Sequence, residues 1–195
     1  MKAIDLLRFL QQQRDEHAKV IFTTSELANA AGGNPRSLNV ALDRYVTSGV
    51  IARYTPGRYG LPGEVSPEDL VPAIDTSAYI TGQYGLYRRQ MITQMPAEIT
   101  CFTNRRHNRS RTRETPVGRI VFVCVTGSTY APPKDSVVVP AEQALIDFVY
   151  ICRRRGVSQN DVVTFRNLDR LNGPLLDEHL SRYPKAVQRD VRGMF

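Results

Sequence analysis

Lysine is nearly missing from this 195-residue sequence, although the chain is strongly basic. Only Lys2, Lys19, Lys134 and Lys185 stand beside 22 arginines, and the formal net charge is +7. A guanidinium group offers a planar fork of donors that suits phosphate groups and guanine edges. The charge therefore favours a polyanionic partner, and the arginine bias favours nucleic acid, although a GC-rich genome would give the same bias.

Cysteine and long apolar runs are also scarce. Cys101, Cys124 and Cys152 are odd in number, far apart and without C-x-x-C spacing, so we expect structural thiols and no disulfide or metal role. No run reaches the roughly 18 apolar residues of a membrane-spanning helix, and Met1 to Leu10 does not read as a secretory signal. We expect a cytoplasmic protein without a membrane partner.

Sequence motifs for catalysis are lacking as well. The histidines His17, His107 and His179 have no carboxylate or cysteine at ligand or triad spacing. Glu142 and Asp147 lie about 140° apart on a helix, so they do not share a face. With neither a phosphate-binding glycine loop nor a G-x-S-x-G motif, the sequence predicts no enzyme, no catalytic or metal site and no cofactor.

The first third of the chain shows three helical segments. Apolar residues at helical spacing predict a first helix over residues 2–13. Thr23 and Glu26 form a capping box that starts a second helix near Thr24, which ends at Gly32 and Gly33. Asn34 as N-cap and Pro35 at the first position open a third helix, which runs to about Ser48.

A β-hairpin follows, over Val50 to Tyr54 and Arg58 to Leu61 with a Pro56-Gly57 turn. The order of helix, short strand, two helices and hairpin is that of a winged helix-turn-helix. The Pro- and Gly-rich stretch after it predicts a domain boundary, with residues 1–63 as the DNA-binding domain and 64–195 as a second domain.

The second domain is predicted to mix helices with a small sheet. Helical segments are expected at residues 66–73, 82–89, 140–154, 159–168 and 174–181, and β-branched runs at 98–103, 119–126 and 136–139 predict strands. The fold class is therefore α+β: a winged helix-turn-helix followed by a mixed α/β C-terminal domain with a small sheet and C-terminal helices.

The third helix has the chemistry of a recognition helix. Its apolar residues fall in one arc, and a short polar arc lies opposite. Arginine pairs with guanine, asparagine with adenine, and an apolar side chain contacts a thymine methyl group. The predicted DNA contacts from this helix are Arg36, Ser37, Asn39, Val40, Arg44 and Thr47. Asp43 lies on the same arc and would repel phosphate unless a base-reading group balances it.

Two further groups of residues are candidates for contacts with phosphate. The hairpin places Arg53, Tyr54, Arg58 and Tyr59 where they could hold phosphates or enter the minor groove. The segment 104–113 holds five arginines and no acidic residue, and this charge density predicts an exposed loop or hairpin tip. It is either a phosphate or acidic-partner contact or a solvated loop; its arginines are Arg105, Arg106, Arg109, Arg111 and Arg113.

Three segments resemble the AbiE antitoxin family (AbiEi). Residues 49–62, GVIARYTPGRYGLP, are similar to the family's "G-I-x-R … G-x-Y-x-L-P" wing. Residues 79–86, YITGQYGL, resemble its "Y-I-S … A-L" segment, with Gly85 where the family prefers alanine. Residues 140–147, PAEQALID, resemble its "P-E-K-A-L-L-D" helix start, with Gln143 in place of a basic residue. The likeness covers roughly residues 1–155.

The resemblance implies an antitoxin and transcriptional repressor of a type IV toxin-antitoxin, phage-defence pair. Its N-terminal winged helix would repress its own operon by binding double-stranded DNA. Its C-terminal domain would counteract a nucleotidyltransferase-like toxin, without requiring a stable complex.

Two alternatives stay open. A winged-helix transcription factor unrelated to a toxin would have an apolar ligand pocket in residues 75–195 and an effector-dependent affinity for its operator. An RNA-processing enzyme or nuclease would have clustered acids and depend on a metal ion. The residues favour neither over the antitoxin hypothesis.

Overall fold

The computed structural model describes residues 2–32, 35–108 and 110–195, and at residues 35 and 36 it describes the backbone alone. The chain divides into two compact units, one of Met1–Ala73 with Glu114–Val117 and one of Ile74–Arg113 with Gly118–Phe195; the sequence placed its boundary after residue 63. Helices and a small sheet occur in each, so the predicted α+β class is confirmed.

The first unit joins four helices to a small antiparallel sheet with strand order β1-β3-β2. The register pairs Phe22 with Tyr59 and Arg53 with Tyr59. Its elements are α1 (Ala3–His17), β1 (Phe22–Thr23), α2 (Thr24–Ala31), α3 (Pro35–Thr47), β2 (Ala52–Thr55), β3 (Arg58–Gly60) and α4 (Pro67–Ile74).

Local sequence signals set the ends of α2. The hydroxyl of Thr23 accepts a hydrogen bond from Glu26 N at 3.2 Å, and Glu26 Oε2 accepts one from Thr23 N at 2.8 Å. The helix stops at Gly32, whose φ of +59° is a left-handed conformation that favours glycine. The predicted start at Thr24 and end at Gly32 are confirmed. The predicted roles of Gly33 and Asn34 fall outside the described residues.

An aliphatic core holds the first unit together. Leu6 and Leu10 from α1, Leu27 from α2 and Leu42 from α3 are fully buried, and Ile51 after α3 is nearly so. Burial of such side chains stabilises a fold by roughly 1.5–3 kcal/mol each. This core buries one side of α3, so the opposite side of the helix faces outward. Further members of the cluster are Phe22, Leu38, Tyr59 and Leu61.

The second unit builds a four-stranded mixed sheet with the order β4-β5-β7-β6, in which β5 and β7 are parallel and pair Ile99 with Ile120. Its elements are β4 (Tyr79–Thr81), α5 (Gly82–Arg88), β5 (Glu98–Thr103), β6 (Thr112–Thr115), β7 (Gly118–Cys124), α6 (Ala141–Arg155), α7 (Gln159–Val162), α8 (Gly173–Leu180) and α9 (Lys185–Arg192), with 3₁₀ turns at Gly127–Thr129 and Leu168–Arg170.

Helix α6 is the centre of this second unit. Leu145, Ile146 and Asp147 are fully buried, and the helix packs against α5, α8 and α9. A helix with this little exposed surface needs neighbours on nearly every side. The C-terminal helices therefore belong to the core of the unit.

Several predicted elements of the second unit are corrected. Residues 136–139 form no strand, and only one bridge joins Val138 to Ile80. Helix α7 ends at Val162 instead of Leu168, and residues 112–113 of the predicted loop belong to β6. Strand β4, with only three residues, and helix α9, although its apolar residues lie at helical spacing, were not predicted. None of the helices in the described residues is long and apolar enough to cross a membrane.

Candidate nucleic-acid interface

Helix α3 leaves one polar face uncovered. Asn39, Asp43, Arg44 and Thr47 are exposed, and Val40 keeps 54% of its surface exposed although it is apolar. The opposite side carries Leu38 and Leu42, which are buried. Asp43, Arg44 and Thr47 line a surface hollow of about 410 Å³ together with Val40 and Ser48. The face is thus a mixed donor, acceptor and apolar surface on a rigid helix.

Two predicted contacts on α3 need separate mention. Ser37 is exposed at the N-terminal end of the helix. The side chain of Arg36 lies outside the described residues, although its backbone belongs to the first turn. Thr47 donates its hydroxyl hydrogen to the Asp43 carbonyl at 2.9 Å, so its oxygen is held against the helix.

The hairpin contributes fewer exposed groups than the sequence suggested. Arg53 is exposed on β2 and stays a candidate. The predicted DNA contacts Tyr54 and Tyr59 are corrected, because the two residues keep only 2% and 4% of their surface exposed. Tyr54 donates its hydroxyl hydrogen to the Leu61 carbonyl at 2.8 Å, and Tyr59 packs in the core. Both rings therefore stabilise the hairpin.

Arg58 has a structural partner as well. Its Nε donates to the Ala73 carbonyl at 2.6 Å, and the side chain is partly buried. A guanidinium group has five N–H donors, so this bond leaves donors for another acceptor. Arg58 tethers the start of β3 to the end of α4, which the sequence did not predict.

The arginine-rich segment lies on the second unit. Arg105, Arg106 and Arg111 are exposed, Arg113 is half-buried, and Arg109 lies outside the described residues. Arg106 and Arg111 meet around a surface hollow of about 320 Å³. Arg105 and Arg113 do not line this hollow, whereas Arg154, which the sequence did not predict, comes from the last turn of α6 and does line it. Only the tertiary fold brings it there.

A buried carboxylate organises one wall of this hollow. Asp75 is 3% exposed and accepts hydrogen bonds from Thr103 Oγ1 at 2.6 Å, Ser77 N at 2.9 Å and His107 Nε2 at 3.0 Å. Burial acts to raise the pKa of the Asp75 carboxyl, but these three donors outweigh burial and leave its pKa below the usual value. An ionised carboxylate only accepts, so Nε2 of His107 is the donor in this contact.

A second buried acid lies away from the hollow. Asp147 on α6 is fully buried and accepts hydrogen bonds from the hydroxyls of Thr81 and Tyr183. Burial raises the pKa of its carboxyl to about 7, against the effect of these two donors. Glu142, five residues earlier on the same helix, accepts a hydrogen bond from Asn172 N at 2.8 Å. These contacts tie α6 to β4 and to the C-terminal helices, which accounts for both acids structurally.

The thiols and the possible metal ligands give no further site. Cys101, Cys124 and Cys152 are free, and burial raises the pKa of the Cys101 and Cys152 thiols, which makes them poor nucleophiles. Within residues 2–32, 35–108 and 110–195, no three His, Cys, Asp or Glu side chains gather as a metal site.

No protein-family model matches the chain, and no curated protein matches its sequence.

Proposed function

We propose that the first unit is a winged helix-turn-helix and that the chain is a non-enzymatic binding protein for double-stranded DNA. The observation that carries this proposal is the uncovered face of α3, where Asn39, Val40 and Arg44 are exposed over a buried Leu38 and Leu42. A recognition helix in the major groove needs such a face, since it must pack on one side and meet base edges on the other.

The connectivity of the unit supports the same proposal. Helix, strand, two helices and two strands follow one another, and β3 lies between β1 and β2 in the sheet. In a winged helix the second helix supports the third, and the β2–β3 hairpin is the wing beside it. Arg53 is exposed on β2, which supports a phosphate contact from this strand.

The charges on α3 fit base reading better than phosphate binding. Asp43 and Arg44 are neighbours on the exposed face, and their charges cancel. A carboxylate accepts a hydrogen bond from the cytosine amino group, and an arginine donates two to guanine. The pair is therefore suited to the two bases of a G·C pair or of adjacent pairs, and the phosphate contacts must come from elsewhere in the unit.

We further propose that the chain represses its own operon and acts as the antitoxin to a nucleotidyltransferase-like toxin, as in type IV systems. The support is the resemblance of residues 49–62, 79–86 and 140–147 to AbiEi antitoxins. These segments fall on the hairpin, on β4 with α5, and on the start of α6. The resemblance therefore lies on secondary-structure elements of both units.

A mobility-shift titration with the DNA upstream of the gene tests the DNA proposal. Arg44→Ala and Asn39→Ala should each weaken specific binding by roughly 1–3 kcal/mol, as should Arg36→Ala if that side chain reaches a base. Arg8→Ala, which removes an exposed arginine of α1, is the matched control and should bind as the parent does. Equal affinity of all four variants and the parent would remove α3 from the interface.

Co-expression tests the antitoxin proposal separately. The intact chain, expressed from an inducible promoter, should restore growth to cells that produce the neighbouring nucleotidyltransferase-like protein. Arg44→Ala should restore growth equally well, because the promoter no longer depends on operator binding. A chain that binds its operator but never restores growth would be a repressor without antitoxin activity.

A further inference from the structure

A basic hollow on the second unit lies apart from the proposed DNA-reading face. It has a volume of about 320 Å³ and is bounded by the segment after β5, by β7 and by the last turn of α6. We infer that this hollow binds a phosphate group carrying two negative charges, as on a mononucleotide or at the phosphorylated end of a nucleic acid. The residues that support this inference are Arg106, His107, Arg111, Phe122 and Arg154.

Three consecutive arginines at the end of α6 differ in their interaction partners. Arg153 pairs with Asp190 at 2.7 Å, and Arg155 lies 3.7 Å from Glu98. Arg154, between them, stacks its guanidinium over the Tyr150 ring at 5.6 Å and lines the hollow. Within the described part of the chain no carboxylate pairs with it. The two outer arginines therefore have acidic partners, although Arg155 shares Glu98 with Arg119, and the middle charge is left at the hollow.

The arginines in the segment after β5 differ in the same way. Arg105 lies 3.9 Å from the Asp75 carboxylate, whereas Arg106 lines the hollow without an acidic partner among the described residues. Arg111 is held in place by its carbonyl, which accepts a hydrogen bond from Phe122 N at 2.7 Å. Three guanidinium groups with no acidic partner among the described residues thus line one hollow, and their charges repel one another unless an anion is bound.

Packed and hydrogen-bonded side chains form the wall between these arginines. His107 is fixed by its 3.0 Å hydrogen bond to buried Asp75, and its ring stacks on Phe122 with the centroids 4.3 Å apart. The guanidinium carbon of Arg113 lies 6.0 Å from the centroid of the Phe122 ring, and the buried Nε of Arg113 has no hydrogen-bond partner among the described residues. Preorganised donors bind an anion more tightly because less side-chain entropy is lost.

The donor set favours a phosphate monoester. A monoester carries a charge of about −1.5 to −2 at neutral pH and three acceptor oxygens, which matches several guanidinium forks better than a singly charged diester does. Phe122 is 1% exposed and is covered by His107, so it offers no open face for a base to stack on. The hollow should therefore bind phosphorylated ligands whatever their base.

Titration calorimetry on the full chain tests this inference, with AMP and UMP as free nucleotides and adenosine as the unphosphorylated control. A short single-stranded oligonucleotide with a 5′-phosphate, and the same one with a 5′-hydroxyl, test nucleic-acid ends. We expect AMP and UMP to bind alike and adenosine not at all. Arg106→Ala and Arg111→Ala should each lower the affinity about tenfold or more.

Arg170→Ala is the matched control, because Arg170 is an exposed arginine of the same unit that lies outside the hollow. Its affinity should equal that of the parent. Arg111→Lys keeps the charge but loses the planar fork, so it should bind more weakly than the parent even if Arg111→Ala fails to fold.

The outcomes separate the two sources of phosphate. Binding of AMP and UMP assigns the hollow to free nucleotides. Binding of the 5′-phosphorylated oligonucleotide alone assigns it to nucleic-acid ends. The inference is overturned if no phosphorylated probe binds, if adenosine binds as well as AMP, or if the hollow variants match Arg170→Ala. None of these measurements uses the operator or the toxin, so the result is independent of the proposed function.

Discussion

The hydroxyl of Thr81, at the end of β4, donates a hydrogen bond of 2.5 Å to the buried carboxylate of Asp147, 66 residues further along the chain on α6. Tyr183 donates to the other carboxylate oxygen from the turn between α8 and α9. One acid thus joins three parts of the second unit. Because the carboxyl is fully buried, its ionisation opposes folding.

The stability of the parent should therefore fall as pH rises from about 4 to 7. Burial raises the folded-state pKa of Asp147 to about 7 from an ordinary 3.8, so between these values the folded state holds a proton that the unfolded state has lost. A shift of this size corresponds to a loss on the order of 4 kcal/mol over the window. Asp147→Asn removes the titration and should flatten this part of the profile. Urea denaturation at several pH values, followed by circular dichroism, measures the free energy of unfolding of the parent and of Asp147→Asn. Parallel pH profiles of the two proteins would contradict the prediction.

Asp75 should behave in the opposite sense. Hydrogen bonds from Thr103, His107 and Ser77 N outweigh burial and lower its pKa, so the ionised group stabilises the fold above its unfolded pKa, and this contribution is lost as pH falls through the folded value. Asp75→Asn should lower the free energy of unfolding at pH 7 by roughly 1–3 kcal/mol. The difference between variant and parent should shrink in acid. A difference that stays constant down to pH 3 would show that the charge of Asp75 is not involved.

Gly60 should not tolerate a side chain. A Cβ at this position would lie 2.4 Å from the Val20 carbonyl oxygen, where β3 passes the segment before β1. Gly60→Ala must move backbone and should destabilise the first unit by roughly 3 kcal/mol or more. Gly63→Ala is the control, since φ is +76° there but nothing lies within 4 Å, and it should cost about 1 kcal/mol of left-handed strain. Thermal denaturation compares the two; equal losses would mean that the close approach to Val20 is unimportant.

Arg53 and Tyr54 are neighbours in β2 with different expected roles. Under the proposed DNA-binding function, Arg53→Ala should weaken operator binding and reduce its salt dependence, because it would remove an exposed phosphate contact. Tyr54→Phe should leave operator affinity unchanged but lower stability by about 1 kcal/mol, since it removes only the buried bond to the Leu61 carbonyl. Mobility shifts at two salt concentrations and a denaturation curve separate the effects. Lost affinity in Tyr54→Phe alone would reverse the assignment.

The sequence predicted most of the first unit because its signals are local. The Thr23 capping box, the left-handed Gly32 and the apolar spacing of α3 each act within one or two helical turns. The same reasoning failed on Tyr54 and Tyr59. A strand alternates its faces, but which face is covered depends on the helices packed against it, and this information is not in the hairpin itself.

The polar sites of the second unit show the same division. The run of arginines at 104–113 was visible as a charge cluster, and residues 98–103 were predicted as a strand with the bounds that β5 has. The link from Asp75 to His107 was not visible, because 32 residues separate them. Arg154 was not predicted either, because it stands between two arginines of α6 and only the fold gives those two arginines acidic partners.

By itself the sequence determined the α+β class, most helix ends of the first unit and the polar face of α3, since hydrogen bonding and apolar periodicity act between residues close in the chain. Only the tertiary structure decided which charges are paired, buried or left at a surface. That outcome depends on contacts such as Thr81 with Asp147 and Arg154 with Tyr150 beside the hollow, which arise when distant segments exclude water together.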